Sequence, residues 1–358
     1  MRIIAHLDMD AFFASLEEAG SEIFYGKPIV VGADPKGGYG RGVVSTANYK
    51  AREYGIKSAL PISRAWQLSQ KAKSERKPEA IFVQPDFERY EKASREVFGI
   101  IKKHCDLVEP ASIDEFYFDL SSGKSYKKAE KICLKIKQEI KEKLKVTCSV
   151  GIGPNKLIAK ISAGIKKPDG LFLVKAEEAE KFLEPLPIRE IPGIGPKTEK
   201  LFNDKGIKIV KDLKKFSENN LISFLGKLGE DIYDKARGID NLPIIENRTA
   251  KSIGEQATFQ QNSLNFIYIG EVFDNLCKSV FKRFINSDFK SFKTIAITVR
   301  FSDFETKTTA KTLAKPISKE KDFKLESLRL LLPYSDRRKN PHQKLIRLIG
   351  VKIEKFNE

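Results

Sequence analysis

The stretch RIIAHLDMDAFFASLEEA, residues 2–19, decides the fold of the amino-terminal half of the chain. Residues 2–8 are apolar almost up to Asp8 and predict a short buried strand, and residues 11–19 predict a helix that follows it directly. Asp8 and Asp10 therefore lie where the strand ends. A buried carboxylate is costly unless it is paired or holds a cation, so this strand end is a candidate site.

A second pair of acids, Asp114 and Glu115, lies in the stretch IDEFYFDL, residues 113–120, which alternates with strand period. Two strands that bring carboxylates to one end of a sheet can hold two Mg²⁺ or Mn²⁺ ions, which prefer oxygen ligands. The alternative interpretation is that these acids pair with lysines or cap turns. Because alternation places residues 114 and 115 on opposite faces, spacing alone leaves open which acids are ligands.

Cysteine and histidine offer no competing metal site. The four cysteines include no CxxC pair, and the three histidines lie far apart in the sequence. We therefore expect buried, reduced cysteines and a metal chemistry that depends on carboxylates.

The charge balance predicts a polyanionic partner. The 358 residues hold 65 Lys and Arg against 48 Asp and Glu, a net charge of +17, and residues 241–358 hold 22 against 13. A basic excess of this size favours nucleic acid. The length predicts two to four compact units. No apolar run is long enough to cross a bilayer, so we expect an intracellular protein without a membrane partner.

Hydrophobic periodicity predicts a mixed sheet with helices on it through about residue 170. Strands are expected at Ile29–Gly32 and Gly42–Thr46, around a glycine-rich turn at 36–40, and a further strand is expected at 146–152. Helices are expected at Ala47–Tyr54, Phe87–His104, Tyr126–Lys145, which has a lysine-rich outer face, and Asn155–Ile165.

The remainder of the chain divides into a helical segment, a linker and a second sheet. Residues 174–240 have a helical pattern with short loops, and the periodicity lapses at 241–248. Residues 293–301 predict a half-exposed strand whose polar face carries Thr294, Thr298 and Arg300. Such a face suits a phosphate backbone.

Six motifs in order carry a resemblance to a known family: residues 6–18 (HLDMDAFFASLEE), 45–55 (STANYKAREYG), 112–116 (SIDEF), 150–160 (VGIGPNKLIAK), 167–170 (KPDG) and 191–195 (IPGIG). The chain resembles the Y-family, translesion DNA polymerases, and the DMDAFF stretch is most similar to the DNA polymerase IV branch.

The resemblance implies an α+β multidomain right hand. Its palm, a mixed sheet plus helices, is expected from residues 1–11 and 86–174, and small fingers from 12–85. A helical thumb with a helix-hairpin-helix is expected at 175–240, a linker at 241–248, and a C-terminal α/β little-finger domain at 249–358.

The resemblance also implies the catalytic residues. Asp8, Asp114 and Glu115 match the metal-binding carboxylates, and the backbone carbonyl of Met9 completes one site. Two Mg²⁺ ions are implied, for which Mn²⁺ can substitute. Asp10 matches a position that supports the site without being a ligand.

Nucleotide selection is implied at the neighbouring motif positions. Phe13 matches the steric gate, whose ring would leave no room for a 2′-hydroxyl. Phe12 is also a candidate nucleotide contact, although one of Phe12 and Phe13 is expected to be plain core. Tyr49, Arg52 and Lys167 match positions that contact the triphosphate.

DNA contacts are expected at five residues. Gly193 and Gly195 belong to a helix-hairpin-helix turn whose backbone amides can approach a phosphate. Lys156 and Lys160 are secondary candidates, since a lysine on a helix is more often only solvated, and Arg300 is the candidate on the polar face of the predicted strand.

Three departures from the family pattern stand out. Ala11 occupies a position where relatives often carry a larger side chain. The glycine-rich turn is no Walker loop, because no Gly-Lys-Ser/Thr follows. The sequence printed stops directly after the strand-like stretch 345–356, without a clamp-binding tail, so dependence on a sliding clamp is open.

The implied function is template-directed, low-fidelity translesion synthesis from a primer 3′ end, without a proofreading exonuclease. Its partners are primer–template DNA and an incoming dNTP, and we expect a monomer in the cytoplasm, associated with the nucleoid in a prokaryote. A nucleotidyl cyclase or related phosphotransferase, and a non-enzymatic DNA-binding repair scaffold, are the alternatives. Primer extension on a short template with Mg²⁺ distinguishes the three.

Overall fold

The computed structural model describes residues 1–247, 249–336 and 338–357. The chain divides into two compact units, Met1–Asn247 and Arg248–Glu358. The predicted α+β multidomain fold is confirmed, with separate sheets and a helical segment in the first unit and one further sheet in the second.

The first unit begins with a strand and helix at the predicted place. Its strands are β1 (Ile4–Met9), β2 (Ile29–Gly32), β3 (Val44–Ala47), β4 (Ile81–Val83), β5 (Val108–Pro110), β6 (Glu115–Asp119), β7 (Cys148–Gly153) and β8 (Leu171–Leu173). Its helices are α1 (Phe12–Ala19), α2 (Tyr49–Arg52), α3 (Ile62–Ser74), α4 (Phe87–Lys102), α5 (Tyr126–Leu144), α6 (Lys156–Ile165), α7 (Ala179–Leu183), α8 (Pro196–Asn203), α9 (Val210–Leu213), α10 (Glu218–Leu225) and α11 (Lys227–Lys235).

The larger sheet of this unit places β1 in its centre, in the order β5-β6-β1-β7-β8. β1 is antiparallel to both β6 and β7. All six residues of β7 are buried, since helices cover both faces. A Cβ on Gly151 would lie 2.0 Å from the carbonyl oxygen of Ala159, so only glycine lets α6 pack this closely on the strand.

The two faces of this sheet have different neighbours. Ala5 and Leu7 belong to one apolar cluster with Ile136 and Ile140 of α5. Ile4, on the opposite face, clusters with Tyr117, Ala159 of α6 and Ile244. Because side chains alternate along a strand, Asp8 lies on the α6 face of β1.

A smaller sheet, ordered β3-β2-β4, packs on α2 and α3. The predicted helix Ala47–Tyr54 is shorter than expected, because Asn48 caps it with a bond from the Ala51 amide and Gly55 follows with φ +82°. β4 was not predicted, since its three residues lie too close to a polar stretch to give a pattern.

The segment from residue 174 to 240 is helical, as predicted, around a core that includes Leu183, Ile191 and Phe202. Residues 244–246 of the segment predicted as a linker contact the large sheet and helix α4. Ile244 is buried, the amide of Ile245 donates to Glu109 Oε2 at 2.8 Å, and Glu246 contacts Lys102. The periodicity lapses because this segment is extended. Residue 248 lies outside the described residues.

The second unit contains the antiparallel sheet β11-β10-β12-β9 with two helices. The elements are β9 (Ser252–Ser263), α12 (Phe266–Ile285), β10 (Ser291–Phe301), β11 (Thr306–Ile317), α13 (Glu320–Ser335) and β12 (Ile346–Asn357). Ile295, Ile297 and Val299 of β10 enter the core, while Thr298 and Arg300 stay partly exposed. In the described residues no helix combines the length and the apolar character needed to span a bilayer.

Candidate active site

The structure brings the predicted acids of the two motifs together at one end of β1. Asp8 and Glu115 are direct partners in the β1–β6 register, and the Met9 amide donates to the Asp114 carbonyl oxygen at 3.0 Å. The side chains of all three acids are partly exposed. The Asp114 carboxylate accepts a 2.6 Å bond from Ser112 Oγ. Two backbone segments more than 100 residues apart thus present carboxylates at the same edge.

Lysines contact two of these carboxylates. Lys167 Nζ contacts Asp8 Oδ1, and Lys160 Nζ lies 2.5 Å from Glu115 Oε2. Across residues 1–247, 249–336 and 338–357, no three His, Cys, Asp or Glu side chains are arranged to hold a metal ion. This lysine pairing is the alternative that the sequence left open, and metal binding by Asp8, Met9, Asp114 and Glu115 stays a prediction.

The electrostatics of the two acids differ. Burial raises the pKa of Asp8, which the nearby Lys167 partly offsets. The neighbouring His6 and Lys160 side chains lower the pKa of Glu115 to about 2. Since His6 Nε2 lies 3.5 Å from Oε2 and Lys160 Nζ lies 2.5 Å away, the lysine is the closer partner. Burial lowers the pKa of His6, so its ring is neutral at pH 7.

Asp10 is the best-connected acid of the site, and its bonds support the predicted supporting role. Oδ1 accepts from Ser149 Oγ at 2.8 Å and lies 3.5 Å from the Tyr49 hydroxyl. Oδ2 accepts from Thr147 Oγ1 at 2.8 Å and from the Asp169 amide at 2.8 Å. Asp10 therefore joins β1, β7, α2 and the loop that carries Lys167.

Helix α5 also holds the loop that carries Lys167. The carboxylate of Asp169 is bonded by Lys137 Nζ at 2.7 Å and by Lys141 Nζ at 3.1 Å, both from α5. The loop therefore has anchors on two elements, and Lys167 projects from between them towards Asp8.

One residue of the aromatic pair after Asp10 is plain core, as expected: it is Phe12, whose predicted nucleotide contact the structure therefore does not support, and Phe13 as the gate stays a prediction. Phe12 is 2% exposed and belongs to the main core. Phe13 is partly exposed, and its ring stacks on Tyr90 with centroids 4.3 Å apart. Ala11, which precedes them, is buried, has φ +48° and is the N-cap residue of α1. A left-handed conformation is uncommon for a residue with a Cβ.

The predicted triphosphate contacts flank the same edge. Tyr49 is half-buried beside Asp10, and burial with the Asp10 charge raises its pKa to about 12, so the phenol keeps its proton. The guanidinium carbon of Arg52 lies 4.7 Å from the Tyr49 ring centre. Tyr49, Arg52 and Lys167 stay predictions as nucleotide contacts.

The prediction that Lys156 touches DNA is wrong in this structure. Lys156 is buried, and its Nζ donates to both oxygens of Glu109 at 2.8 and 2.7 Å. The lysine lies 4.6 Å from the Tyr117 ring centre. A buried ammonium needs such a partner, so Lys156 holds α6 on β5 and is not free to reach a phosphate.

The DNA contacts predicted for Gly193, Gly195 and Arg300 stay predictions. Gly193 has φ +106° in the turn before α8, and Gly195 caps that helix. Lys235 Nζ donates to the Pro192 carbonyl at 2.9 Å, which fixes this turn. In the second unit, Arg300 Nε donates to Thr306 Oγ1 at 2.9 Å.

Sequence reasoning missed Thr147, Ser149 and Asp169 as partners of Asp10. A signal was present: Thr147 and Ser149 share one face of a predicted strand, and Asp169 follows Lys167 in a quoted motif. What the sequence does not contain is that β7 lies next to β1, which brings these donors to Asp10.

Comparison with known proteins covers nearly the whole chain. The model of the impB/mucB/samB family matches residues 7–164, that of the C-terminal domain of the same family matches 250–358, and that of the IMS family HHH motif matches 176–207. DNA polymerase IV 2 of Methanosarcina mazei is 39% identical over 100% of this chain and 93% of its own length.

Solved structures give the same result. A Y-family DNA polymerase chimera of Dbh and Dpo4 is 32% identical, with a TM-score of 0.83 and coverage of 99% of both chains. An insertion ternary complex of Dbh DNA polymerase is 30% identical, with a TM-score of 0.68 and the same coverage. The chain therefore belongs to the impB/mucB/samB family and is a DNA polymerase of the Y-family.

Proposed function

We propose that this protein performs template-directed, low-fidelity translesion synthesis, adding deoxynucleotides to a primer 3′ end without proofreading. Family membership supports the reaction class. The single observation that carries the proposal for this chain is the register pairing of Asp8 with Glu115 at the end of the central strand. The ternary complex among the structural relatives supports primer–template DNA and a dNTP as the two substrates.

The donor set at this strand end suits hard divalent cations. Asp8, Asp114, Glu115 and the Met9 carbonyl supply only oxygen atoms, which Mg²⁺ and Mn²⁺ prefer. Two such ions, when bound, would activate the primer 3′-oxygen and stabilise the charge on the leaving pyrophosphate. Lys160 and Lys167 already pair with two of the three carboxylates of this edge, which supports an affinity of the edge for positive charge. Both sit on flexible stems, so cations can displace them.

The chain's own residues would bind and orient the nucleotide. Lys167, Tyr49 and Arg52 would contact the triphosphate, and positioning of this kind provides much of the rate in phosphoryl transfer. Asp10 would hold Tyr49 and the Lys167 loop at fixed places. Phe13, whose ring is fixed by stacking on Tyr90, would exclude the 2′-hydroxyl of a ribonucleotide.

The proposed domains have the bounds that the family resemblance implies. Residues 1–11 and 86–174 would form the palm, 12–85 the fingers, 175–240 the thumb and 249–358 the little finger. Two observations support DNA backbone contacts by the thumb and the little finger: the helix-hairpin-helix match at 176–207, and the partly exposed Thr298 and Arg300 of β10.

Replacement of the site carboxylates tests the catalytic proposal. Asp114→Ala or Glu115→Ala should abolish incorporation in a primer-extension assay with Mg²⁺ and leave DNA affinity largely intact. Glu130→Ala, which removes an exposed carboxylate of α5, is the matched control and should extend normally. Substantial extension by both site variants would reject the assignment, whereas a cyclic nucleotide product would identify the phosphotransferase alternative.

Sugar selection tests the gate. Phe13→Ala should admit ribonucleotides, measured as the ratio of kcat/KM for dNTP and rNTP. Phe12→Leu, a change in the core, should leave that ratio unchanged. Unaltered discrimination by Phe13→Ala would place the gate elsewhere.

A further inference from the structure

Helix α5 carries a row of lysines that the polymerase reaction does not use. Lys128, Lys131 and Lys135 are spaced by three and four residues, so they share one helix face, and Lys127 lies beside them. The opposite face buries Ala129, Cys133, Ile136 and Ile140. We call Lys127, Lys128, Lys131 and Lys135 the α5 lysine stripe; all four are exposed.

The stripe lacks the ion pairs that other lysines of the same helix make. Lys137 and Lys141 pair with Asp169, and Lys143 pairs with Glu96. Within the described ranges 1–247, 249–336 and 338–357, no carboxylate lies within 4.0 Å of a stripe ammonium group. None of the four charges is therefore neutralised by a direct ion pair, and Glu130 is the one acid of α5 that lies between them in the sequence.

The amino-terminal end of α5 strengthens this positive potential. Its first turn contains Lys127 and Lys128 and no acid, and the Ser125 side chain makes no capping bond. Cations at this end oppose the helix dipole, and the first amides keep donors that an anion could accept from. A phosphate oxygen would satisfy both the lysines and these amides.

The location of the stripe separates it from the polymerase substrate. α5 packs on the sheet face that contains Ala5 and Leu7, whereas Asp8 and its register partner Glu115 lie on the other face. The stripe points away from that sheet. A duplex held at the catalytic carboxylates would therefore not be the ligand of these lysines.

We propose that the α5 lysine stripe binds the phosphate backbone of a second DNA duplex, separate from the primer–template. From Lys127 to Lys135 the helix rises about 12 Å, a length over which duplex DNA presents about seven phosphate charges. The stripe has lysines only and no aromatic side chain among them, which suits backbone contacts without base reading. Through it the enzyme binds a neighbouring duplex while its active site holds the substrate.

The test uses the full chain saturated with unlabelled primer–template. A labelled, covalently closed duplex without free 3′ ends is then titrated in, and its anisotropy is followed at several salt concentrations. The variant is Lys128→Gln/Lys131→Gln/Lys135→Gln. The control, Lys71→Gln/Lys73→Gln/Lys77→Gln, makes the same charge change at lysines that already pair with Glu75 and Glu79.

The stripe variant should bind the closed duplex at least tenfold more weakly at about 100 mM salt, and the slope of log K against log salt should fall by about 2.7, which is 0.9 for each lost contact. Its kcat, its KM for dNTP and its thermal midpoint should equal those of the control. Lys131→Gln alone should lower the slope by about 0.9. An unchanged affinity and slope, an equal loss in the control, or no second duplex bound by the unmodified protein would overturn the proposal.

Discussion

Replacement of Asp10 offers the sharpest test of how the site is assembled. Asp10 is 1% exposed and accepts bonds from Ser149, Thr147 and the Asp169 amide, each at 2.8 Å. Asp10→Ala leaves these donors without an acceptor. Ser149 is fully buried, and a buried donor without a partner costs about 1–3 kcal/mol. Thr147 is partly exposed and Asp169 is exposed, so the loss of their two bonds adds only about 0.5–1.5 kcal/mol each. The expected loss of unfolding free energy is therefore about 2–6 kcal/mol.

Asp10→Asn should be much milder. The remaining carbonyl oxygen can take the place of Oδ2 and accept from Thr147 and Asp169, while the new amide group faces the hydroxyls of Ser149 and Tyr49, which can turn to accept. Only the charge assistance is lost, about 1–2 kcal/mol. Because Tyr49 and the Lys167 loop lose their common acceptor charge, KM for dNTP should rise more than kcat falls.

Urea unfolding and single-nucleotide insertion kinetics measure the two effects. Asp34→Asn is the control, because Asp34 is an exposed carboxylate that accepts one 2.8 Å bond from the Lys36 amide, and its cost should stay below about 0.5 kcal/mol. Equal stability of Asp10→Ala and Asp10→Asn would refute the account of the bonds. An unchanged KM for dNTP in Asp10→Asn would refute the positioning role.

Three further outcomes are expected. Lys156→Met should lower the unfolding free energy by about 3–5 kcal/mol, because it leaves Glu109 charged and buried. In urea unfolding, the double variant Lys156→Met/Glu109→Gln should recover part of this loss. No recovery would contradict the pairing of Lys156 with Glu109. Burial raises the pKa of Cys105, Cys148 and Cys277 to about 12, so the thiols keep their protons and should react with a disulfide reagent only after denaturation; fast reaction of the folded protein would disprove this. Gly151→Ala should destabilise the first unit by more than 2 kcal/mol, roughly the cost of overpacking, because the new Cβ would meet the backbone of α6. Gly195→Ala is the control: Gly195 has open space around it, so this change should have only a small effect on the thermal midpoint.

The parts of the fold that depend on local pattern were predictable. The strand and helix of residues 2–19, the long helix α5 and the strand β10 carry clear periodicity, and the structure contains them within a few residues. β4 and the extended segment 243–246 were not predictable. Their residues have no period of their own, and their place depends on contacts with distant elements such as Glu109.

The candidate site shows the same division. A cluster of Asp8, Asp10, Asp114 and Glu115 could be proposed because acids interrupt apolar strands, a pattern with a local energetic cost. Only the family resemblance singled out Asp8, Asp114 and Glu115 as metal ligands. The burial of Lys156 could not be predicted from the local sequence, because a lysine on a helix gives the same pattern whether it is solvated or buried. Its burial depends on Glu109, a partner 47 residues away. Likewise, the pairing of Lys160 with Glu115 follows from α6 lying over the sheet.

The central position of β1 affects how the protein forms during synthesis. β1 leaves the ribosome well before its two partner strands, which end at Asp119 and Gly153. A nascent chain shorter than this carries an apolar strand with both edges unpaired, a state prone to association with other chains. We therefore expect early chaperone contact at residues 4–9, which should cease once β7 has emerged.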